Sequence, residues 1–394
     1  MKYLIIGNSA AGVFAAENLR KLDPTGEITI LTDEPYEVYG RCLTSYFIAG
    51  DIGEEQIYIR PRDFYEKNRI KLKRQEKVIK IDFGEKKVFT AKNFYPYDRL
   101  LIASGAKAKK LSLPGSNLPG IFNLRTLEDA KSIIDCSQKA EQAVIIGGGL
   151  VSLKGAYGLL KRGIKVTVVV ASPQILSQVL DETAAELVQQ NLEKKGMKIL
   201  LEEDVLEFLG EDKVLEVKLL SGKTLKADLV LVGKGVTPNV EFLPEAEKFA
   251  EGLPVDQYLR TPWEDVWAAG DVAKTYDIAY GKPRVNALWP IAAEQGKIAA
   301  MNMVGQNYVY QGSISMNSLE FFGFSTIAAG ITRRDEGYTV IKKRQGANYL
   351  KLVMDGAKLK GYILSGEVRG AGRLTQLILS GGKINKLPSF LKIF

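Results

Sequence analysis

The sequence predicts an α/β protein built on two parallel sheets, each of a dinucleotide-binding type, with a small α+β domain toward the C-terminal end. Three observations predict it. A short β-branched strand, a turn of small residues, a helical run and a second strand occur in that order at the N-terminus, and the same order recurs from residue 143. From about residue 311 the texture changes to hairpin-like strands with one late helix. The 394 residues, 46% of them apolar, supply enough side chains for two or three cores.

In the first unit, residues 2–6 (KYLII) read as a strand, GNSAAG as the turn, and the following residues to about Lys21 as a helix. Glu27–Leu31 is the return strand. In the second, residues 143–146 (AVII) lead into GGGLVS, then a helix to about Arg162 and the strand Lys165–Val170. Between the units, strands are predicted at 78–81, 87–90 and 100–103, followed by a crossover segment, SGAKAKKLSLPGSNLPG. Further strands near 198–201, 213–219 and 228–232 complete the second sheet, which closes at GKGVTPN (233–239). VWAAGDV (266–272) reads as a strand ending in Gly-Asp, with a helix around 291–304. Asp355-Gly356 marks a hairpin turn, and the late helix falls near 371–380.

Composition removes several chemistries. With no histidine, Ser-His-Asp and Cys-His catalysis are excluded, as is any metal or haem site that needs imidazole. Two cysteines, Cys42 and Cys136, cannot hold an iron–sulfur cluster or a four-cysteine zinc site, so no metal is expected. So few cysteines suggest a reducing, cytoplasmic setting. The net charge of +8 suits solubility or an acidic protein partner. Nucleic acid is not expected, because basic residues are interleaved with acidic ones, as in YEKNRIKLKRQEK (65–77). No apolar run reaches the length of a membrane span, and the apolar start, residues 3–6, is too short for a signal core.

Small residues at Gly7, Ser9 and Gly12 occupy the three positions of the dinucleotide fingerprint, with Ala10 and Ala11 between them. Such residues allow a tight turn, close approach of backbone to pyrophosphate and close helix–strand packing. The phosphates then meet the free N–H groups of a helix N-terminus. Asp33, just past the second strand, is placed to accept ribose hydroxyls, with Glu34 as the competing acceptor.

GNSAAG, DEPYEVYGR (33–41), YDRLLIASGA (97–106), NLRTLEDA (123–130), AAGDV (268–272) and AAEQG (292–296) together resemble the FAD-dependent pyridine nucleotide-disulfide oxidoreductases. The likeness runs along the whole chain. It is nearest in type to the rubredoxin and ferredoxin reductases and to the flavin part of assimilatory nitrite reductase. It implies an FAD-binding domain over 1–112 and 242–310, an NAD(P)-binding domain over 113–241 and a C-terminal interface domain over 311–394. On the FAD it would place Gly7, Ser9, Gly12, Asp33, Arg41, Val78, Ala103, Ser104, Gly105, Arg125, Gly270 and Asp271. A buried Asp271 at a strand end would be explained by a ribityl hydroxyl. On the nicotinamide cofactor the resemblance places Gly147, Gly149 and Ser152, with Gly235, Pro238 and Asn239 closing over it.

The sequence departs from its relatives at several positions. Val170, Ala171 and Ser172 follow the second unit's return strand where NADH-specific relatives carry an acid, so NADH and NADPH both stay open. Lys154 stands where relatives carry a glutamate, and Tyr46 where they often carry lysine. Lys154 reads either as an exposed helical lysine or as a residue that stabilises charge at the flavin. Cys42 lies one residue before the redox-cysteine position of related enzymes, which falls on Leu43, so it reads as a small buried hydrophobe, with a redox role as the alternative. Cys136 sits in a polar helical stretch.

The expected activity is transfer of electrons from NAD(P)H through FAD to an acidic electron-carrier protein of the rubredoxin or ferredoxin type. Hydride transfer between stacked rings needs alignment more than an acid or base, so the missing histidine is no obstacle. Two alternatives stand beside it. One is a cysteine-using reductase of coenzyme A disulfide, persulfide or peroxide; the other is a flavin-binding docking subunit of a larger complex. The C-terminal domain favours some interaction role, as a homodimer or within a complex.

Overall fold

A computed structural model describes residues 1–333 and 335–384. The chain divides into two compact units. Unit 1 comprises 1–42, 55–107 and 236–313; unit 2 comprises 43–54, 108–235 and 314–394, of which 385–394 lie outside the described residues. Both are mixed α/β structures. Among the described residues, no helix is long and apolar enough to cross a membrane.

Unit 1 is built on a five-stranded parallel sheet in the order Val266–Ala268, Arg99–Ile102, Lys2–Ile6, Glu27–Leu31, Ile70–Lys73. The central strand pairs Ile5 with Ile30 on one side and Leu101 on the other. Successive side chains of a strand point to opposite faces, and here both faces are covered. Tyr3 and Ile5 join a core with Val13, Leu19 and Ile30, while Leu4 and Ile6 join another with Leu31, Val88 and Leu100. The helix Ala10–Leu22 packs against the helix Trp289–Met303, a contact that small residues permit. A Cβ on Gly296 would lie 2.2 Å from the carbonyl oxygen of Ala11. The other face carries the antiparallel strands Val78–Asp82, Lys87–Thr90 and Phe94–Pro96.

Unit 2 holds a second five-stranded parallel sheet, ordered Lys198–Leu201, Lys165–Val170, Gln142–Ile146, Leu229–Val232, Ile121–Asn123. Its C-terminal part is an antiparallel sheet, ordered Met316–Phe321, Phe324–Gly330, Lys358–Ser365, Asn348–Asp355, Thr339–Gln345, with the helix Ala371–Ser380. The two sheets do not have separate cores. Ile145, Leu153, Val168 and Leu187 share one apolar cluster with Leu319, Phe321, Tyr349 and Ile363. The short helix Thr44–Ala49 joins the same cluster through Ile48, and a Cβ on Gly158 would lie 2.9 Å from the Ile48 side chain.

The strand predicted at 213–219 begins only at Glu216, because Gly210 and the turn after it occupy the preceding residues. The strand predicted through 266–272 is shorter, Val266–Ala268. Gly270 takes φ +83°, which no extended strand allows.

Candidate functional site

The first glycine turn follows the central strand of unit 1. Gly7 adopts φ +110° and donates its N–H to Leu31 at 2.8 Å. A Cβ there would lie 2.1 Å from the Ala103 carbonyl oxygen, and a Cβ on Gly12 would lie 1.9 Å from that of Gly7. Only glycine satisfies both positions. The helix that follows starts at Ala10, with Ser9 as its N-cap residue making no side-chain cap and no acid in the first turn. Other helices are closed differently: Thr126 forms a capping box with Asp129, and Asp181 accepts the N–H of Ala184. The helix after the glycine turn therefore leaves its leading N–H groups to an anion.

Beside this turn lies a cavity of ≈ 240 Å³, lined by Gly7, Asp33, Lys77, Val78, Ser104 and Phe242, among others. Asp33 is exposed at it, whereas Glu34 is committed elsewhere. Glu34 pairs with Arg41 and accepts a hydrogen bond from the Tyr39 hydroxyl at 2.5 Å. Burial works against the Arg41 charge, but Tyr39 and Glu34 outweigh it and hold the guanidinium above its ordinary value. Arg41 also lies 3.4 Å from the Ser9 hydroxyl, which accepts from its Nε. Of the two acids that compete in the sequence, the fold leaves Asp33 at the cavity.

Ala103 is buried, and the 104–105 loop is tied to residue 239: Ser104 Oγ donates to the Asn239 carbonyl at 2.7 Å, and Asn239 N–H donates to Gly105 at 2.9 Å. Asn239, expected over the second turn, thus belongs with the first unit and lines its cavity. Pro238 lies in the short strand Val236–Pro238. Gly270 donates its N–H to Gln295 Oε1 at 2.8 Å, and Gln295 Nε2 donates to Thr275 and Tyr310. Gln295 is fully buried, and no sequence expectation covers it. Its signal is an amide among the small residues of AAEQG. Asp271, expected to be buried, is only half-buried, because the chain turns outward after Gly270.

The second turn repeats the design in unit 2. Gly147 takes φ +105° and donates to Val169 at 2.8 Å, and a Cβ on it would lie 2.4 Å from the Gly233 carbonyl oxygen. Gly149 has nothing within 4 Å of an added Cβ and an ordinary φ of −81°, so internal packing gives no reason for glycine there. The space beside it is open. The helix Leu150–Lys161 is likewise without a side-chain cap or an early acid. Ser152, fully buried, donates to the Gly233 carbonyl at 3.2 Å. Gly235 takes φ +90° and is exposed. Arg125 also belongs to unit 2, where its backbone N–H donates to Asp129 at 2.9 Å.

Lys154 is not a free surface lysine. Its Nζ donates to the Tyr46 hydroxyl at 3.2 Å and to the Glu320 carbonyl at 3.0 Å, and lies 4.9 Å from the ring centres of Tyr46 and Phe321. It fastens the helix Leu150–Lys161 to Thr44–Ala49 and to Met316–Phe321. Two of the positions at which the sequence departs from its relatives, Tyr46 and Lys154, are therefore direct partners.

The expectation of a buried Cys42 is corrected. It is exposed, in the one-turn segment Arg41–Leu43, which presents it outward before the next helix begins. The protein packed around it nonetheless raises its thiol above the ordinary value through desolvation. That is opposite to the thiolate-stabilising surroundings of a reactive cysteine. Cys136 is half-buried, with Sγ 3.8 Å from the Asp228 carbonyl, and its thiol is also raised by burial. Among the described residues no cluster of His, Cys, Asp and Glu could hold a metal.

Residues 1–296 match the model of the pyridine nucleotide-disulphide oxidoreductase family. An assimilatory nitrate reductase electron transfer subunit of Bacillus subtilis (strain 168) is 34% identical over 384 residues, covering 96% of this chain and 49% of that protein. A solved NAD-dependent persulfide reductase from A. fulgidus superposes with a TM-score of 0.90 at 27% identity, over 97% of this chain and 77% of that one. An NADH:rubredoxin oxidoreductase from Clostridium acetobutylicum does so with a TM-score of 0.81 at 27% identity, over 98% and 97%. The chain spans about half the length of the first curated relatives it matches, 49% and 48%. Two uncapped glycine turns at the carboxyl ends of two parallel sheets and this match over most of the chain lead to one conclusion: the chain belongs to the pyridine nucleotide-disulphide oxidoreductase family, flavoproteins that use FAD and NAD(P)H.

Proposed function

We propose that the chain is an NAD(P)H-dependent flavoprotein reductase that passes electrons through FAD to an acidic electron-carrier protein, a rubredoxin, a ferredoxin or a similar iron–sulfur protein. The observation that carries this reading is the repeated cradle: a turn whose first glycine has no room for a Cβ, followed by a helix whose N-terminus no side chain caps.

In this reading residues 1–112 and 242–310 bind FAD, 113–241 bind the nicotinamide nucleotide, and 311–394 form an interface. Gly7, Ser9, Ala10, Ala11 and Gly12 present backbone N–H groups to the FAD pyrophosphate. Asp33 accepts the adenosine ribose hydroxyls, with Val78 beside the adenine. Arg41, held by Glu34, orders the loop that follows. Ala103, Ser104, Gly105, Arg125, Gly270 and Asp271 complete the FAD site, with Gln295 fixing the Gly270 backbone. Gly147, Gly149, Ser152, Gly235 and Pro238 serve the nicotinamide nucleotide. FAD, when bound, supplies acceptance of a hydride and release of single electrons, which no side chain can do. The protein's part is to orient, to exclude water and to place charge. Lys154, a cation pinned by Tyr46 and Glu320, is the residue assigned to that last task.

The net charge of +8 and the rubredoxin reductase of similar structure support an acidic carrier as acceptor. A second reading, a flavin-binding subunit docked in a larger complex, is favoured by the relative named as an electron transfer subunit. A cysteine-using mechanism is less favoured, because the Cys42 thiol is raised rather than lowered. We assign the chain to the cytoplasm on its two free cysteines.

The test is an anaerobic titration of the flavoprotein with NADH and with NADPH. Reduction complete at about two electrons per flavin supports FAD as the only redox centre. Uptake of about four electrons with a charge-transfer band moves the assignment to the cysteine mechanism. Failure of both nucleotides to bleach the flavin refutes the reductase reading. A reductase turns over artificial acceptors when isolated; a docking subunit does so poorly and co-purifies with its partner.

A further inference from the structure

In open parallel sheets ligands bind at the carboxyl ends of the strands. In unit 2 that edge carries a definite set of charges. Lys165–Val170 ends in the neutral residues Ala171 and Ser172, and no lysine or arginine occurs between Lys165 and Lys194. The neighbouring strand, Lys198–Leu201, ends in Glu202, Glu203 and Asp204. Two backbone hydrogen bonds hold these acids against the neutral strand end: Glu202 N–H donates to the Ser172 carbonyl at 3.3 Å, and Glu203 N–H to that of Val170 at 3.1 Å.

The three acids are not equivalent. Asp204 takes both its oxygens to Lys234, at 2.7 and 2.9 Å, which cancels the cation next to the second glycine turn. The Glu203 carboxylate accepts backbone N–H groups of Asp204 and Ser221. Glu202 is exposed, stands in a left-handed conformation at φ +54°, and accepts no hydrogen bond among the described residues. Among the described residues other cations approach this edge, including Lys223 beside Glu203. Arg125 follows Ile121–Asn123, three strands away from Lys165–Val170. Arg333 donates to Gln178, in the loop after Ser172, at 2.8 Å.

We propose that Glu202 reads the adenosine ribose of the nicotinamide nucleotide, so that the chain selects NADH over NADPH. The inference rests on the proposed reductase function and concerns its nucleotide site. The acid that usually ends the return strand is absent, and its task passes to the next strand, which the two backbone hydrogen bonds bring alongside. A carboxylate there accepts a 2′-hydroxyl and repels a 2′-phosphate.

The experiment uses the FAD-loaded protein and its E202Q variant, with NADH and NADPH compared by anaerobic flavin reduction at low and high salt. The wild type is expected to have the higher kcat/KM with NADH. In E202Q that preference should narrow by about fivefold, the size expected for a carboxylate facing a phosphate dianion across ~8 Å of water-like medium. The change should appear in the KM for NADPH rather than in kcat, and added salt should shrink it. Wild-type preference for NADPH would overturn the proposal and point to Arg333. An unchanged ratio in an E202Q protein with wild-type melting would overturn it equally. If neither nucleotide reduces the flavin, the reductase reading itself fails, and the inference with it.

Discussion

Replacing Gly296 by alanine tests whether the first cradle depends on the approach of two helices. The added Cβ would lie 2.2 Å from the Ala11 carbonyl oxygen, 2.9 Å from its carbonyl carbon and 3.0 Å from its Cα. All three are backbone atoms, so no side-chain rotation relieves the contact. Ordinary van der Waals contact begins at 3.4 Å, and the helices Ala10–Leu22 and Trp289–Met303 must therefore part by roughly 1 Å. Overpacking of this kind costs about 1–3 kcal/mol. For a unit of this size that lowers the apparent melting temperature by roughly 4–8 °C at the middle of the range. Ala11 also belongs to the turn assigned to the FAD pyrophosphate, and Gly270 lies against the Ala11 side chain from the other direction. The displacement consequently reaches the cofactor. If about 2 kcal/mol of it falls on the FAD-competent conformation, FAD binds roughly thirtyfold more weakly. The assay is thermal melting together with FAD reconstitution of the apoprotein, using G84A as control. Gly84 is exposed, and its added Cβ meets only an Asp82 carboxylate oxygen at 3.6 Å. A G296A protein that melts like wild type and retains stoichiometric FAD would refute this account of the cradle.

Three further outcomes are expected. Lys351 is 1% exposed, with Nζ 2.6 Å from Asp335, 3.5 Å from Asp181 and 2.9 Å from the Thr332 carbonyl. K351M removes this ammonium, while Asp335 keeps Lys342 and Asp181 keeps the Tyr349 hydroxyl, so it should destabilise by about 1–3 kcal/mol; urea unfolding with an unshifted midpoint would contradict this. In unit 1, desolvation first of all raises Tyr65 and Tyr97 from 10 to about 12, and the buried Tyr97 hydroxyl has no partner among the described residues. A folded pKa above the unfolded one means stability fully present below pH 10 and lost as the pH climbs to about 12; melting temperatures measured from pH 9 to 12 should fall in that window, and a flat profile would exclude the linkage. C42S should keep NAD(P)H-driven flavin reduction and acceptor turnover within about twofold, since a thiol raised by desolvation contributes little thiolate near neutral pH. A loss of turnover would restore the cysteine mechanism.

Local chemistry determined much of this protein from sequence alone. The strands Glu27–Leu31 and Lys165–Val170 and the helix Ala371–Ser380 begin and end where their apolar periods and turn residues say. Gly7, Gly12 and Gly147 are required by positive φ or by backbone contact within a few residues of one strand end, so a short motif encodes them. Tertiary structure decided the rest, because it depends on which strands become neighbours. The sequence favours Asp33 with Glu34 as its competitor, and the approach of Arg41 and Tyr39 commits Glu34 and leaves Asp33 at the cavity. Asn239 meets Gly105 because two segments distant in sequence close the same loop. Gln295 finds Gly270 only once the helix Trp289–Met303 has docked. Lys154 and Tyr46 meet across helices far apart in the chain, and Glu202 reaches Ser172 through sheet order rather than spacing. Dihedral preference and hydrophobic period act over a few residues, whereas the partner of a polar side chain is chosen by the assembled sheet.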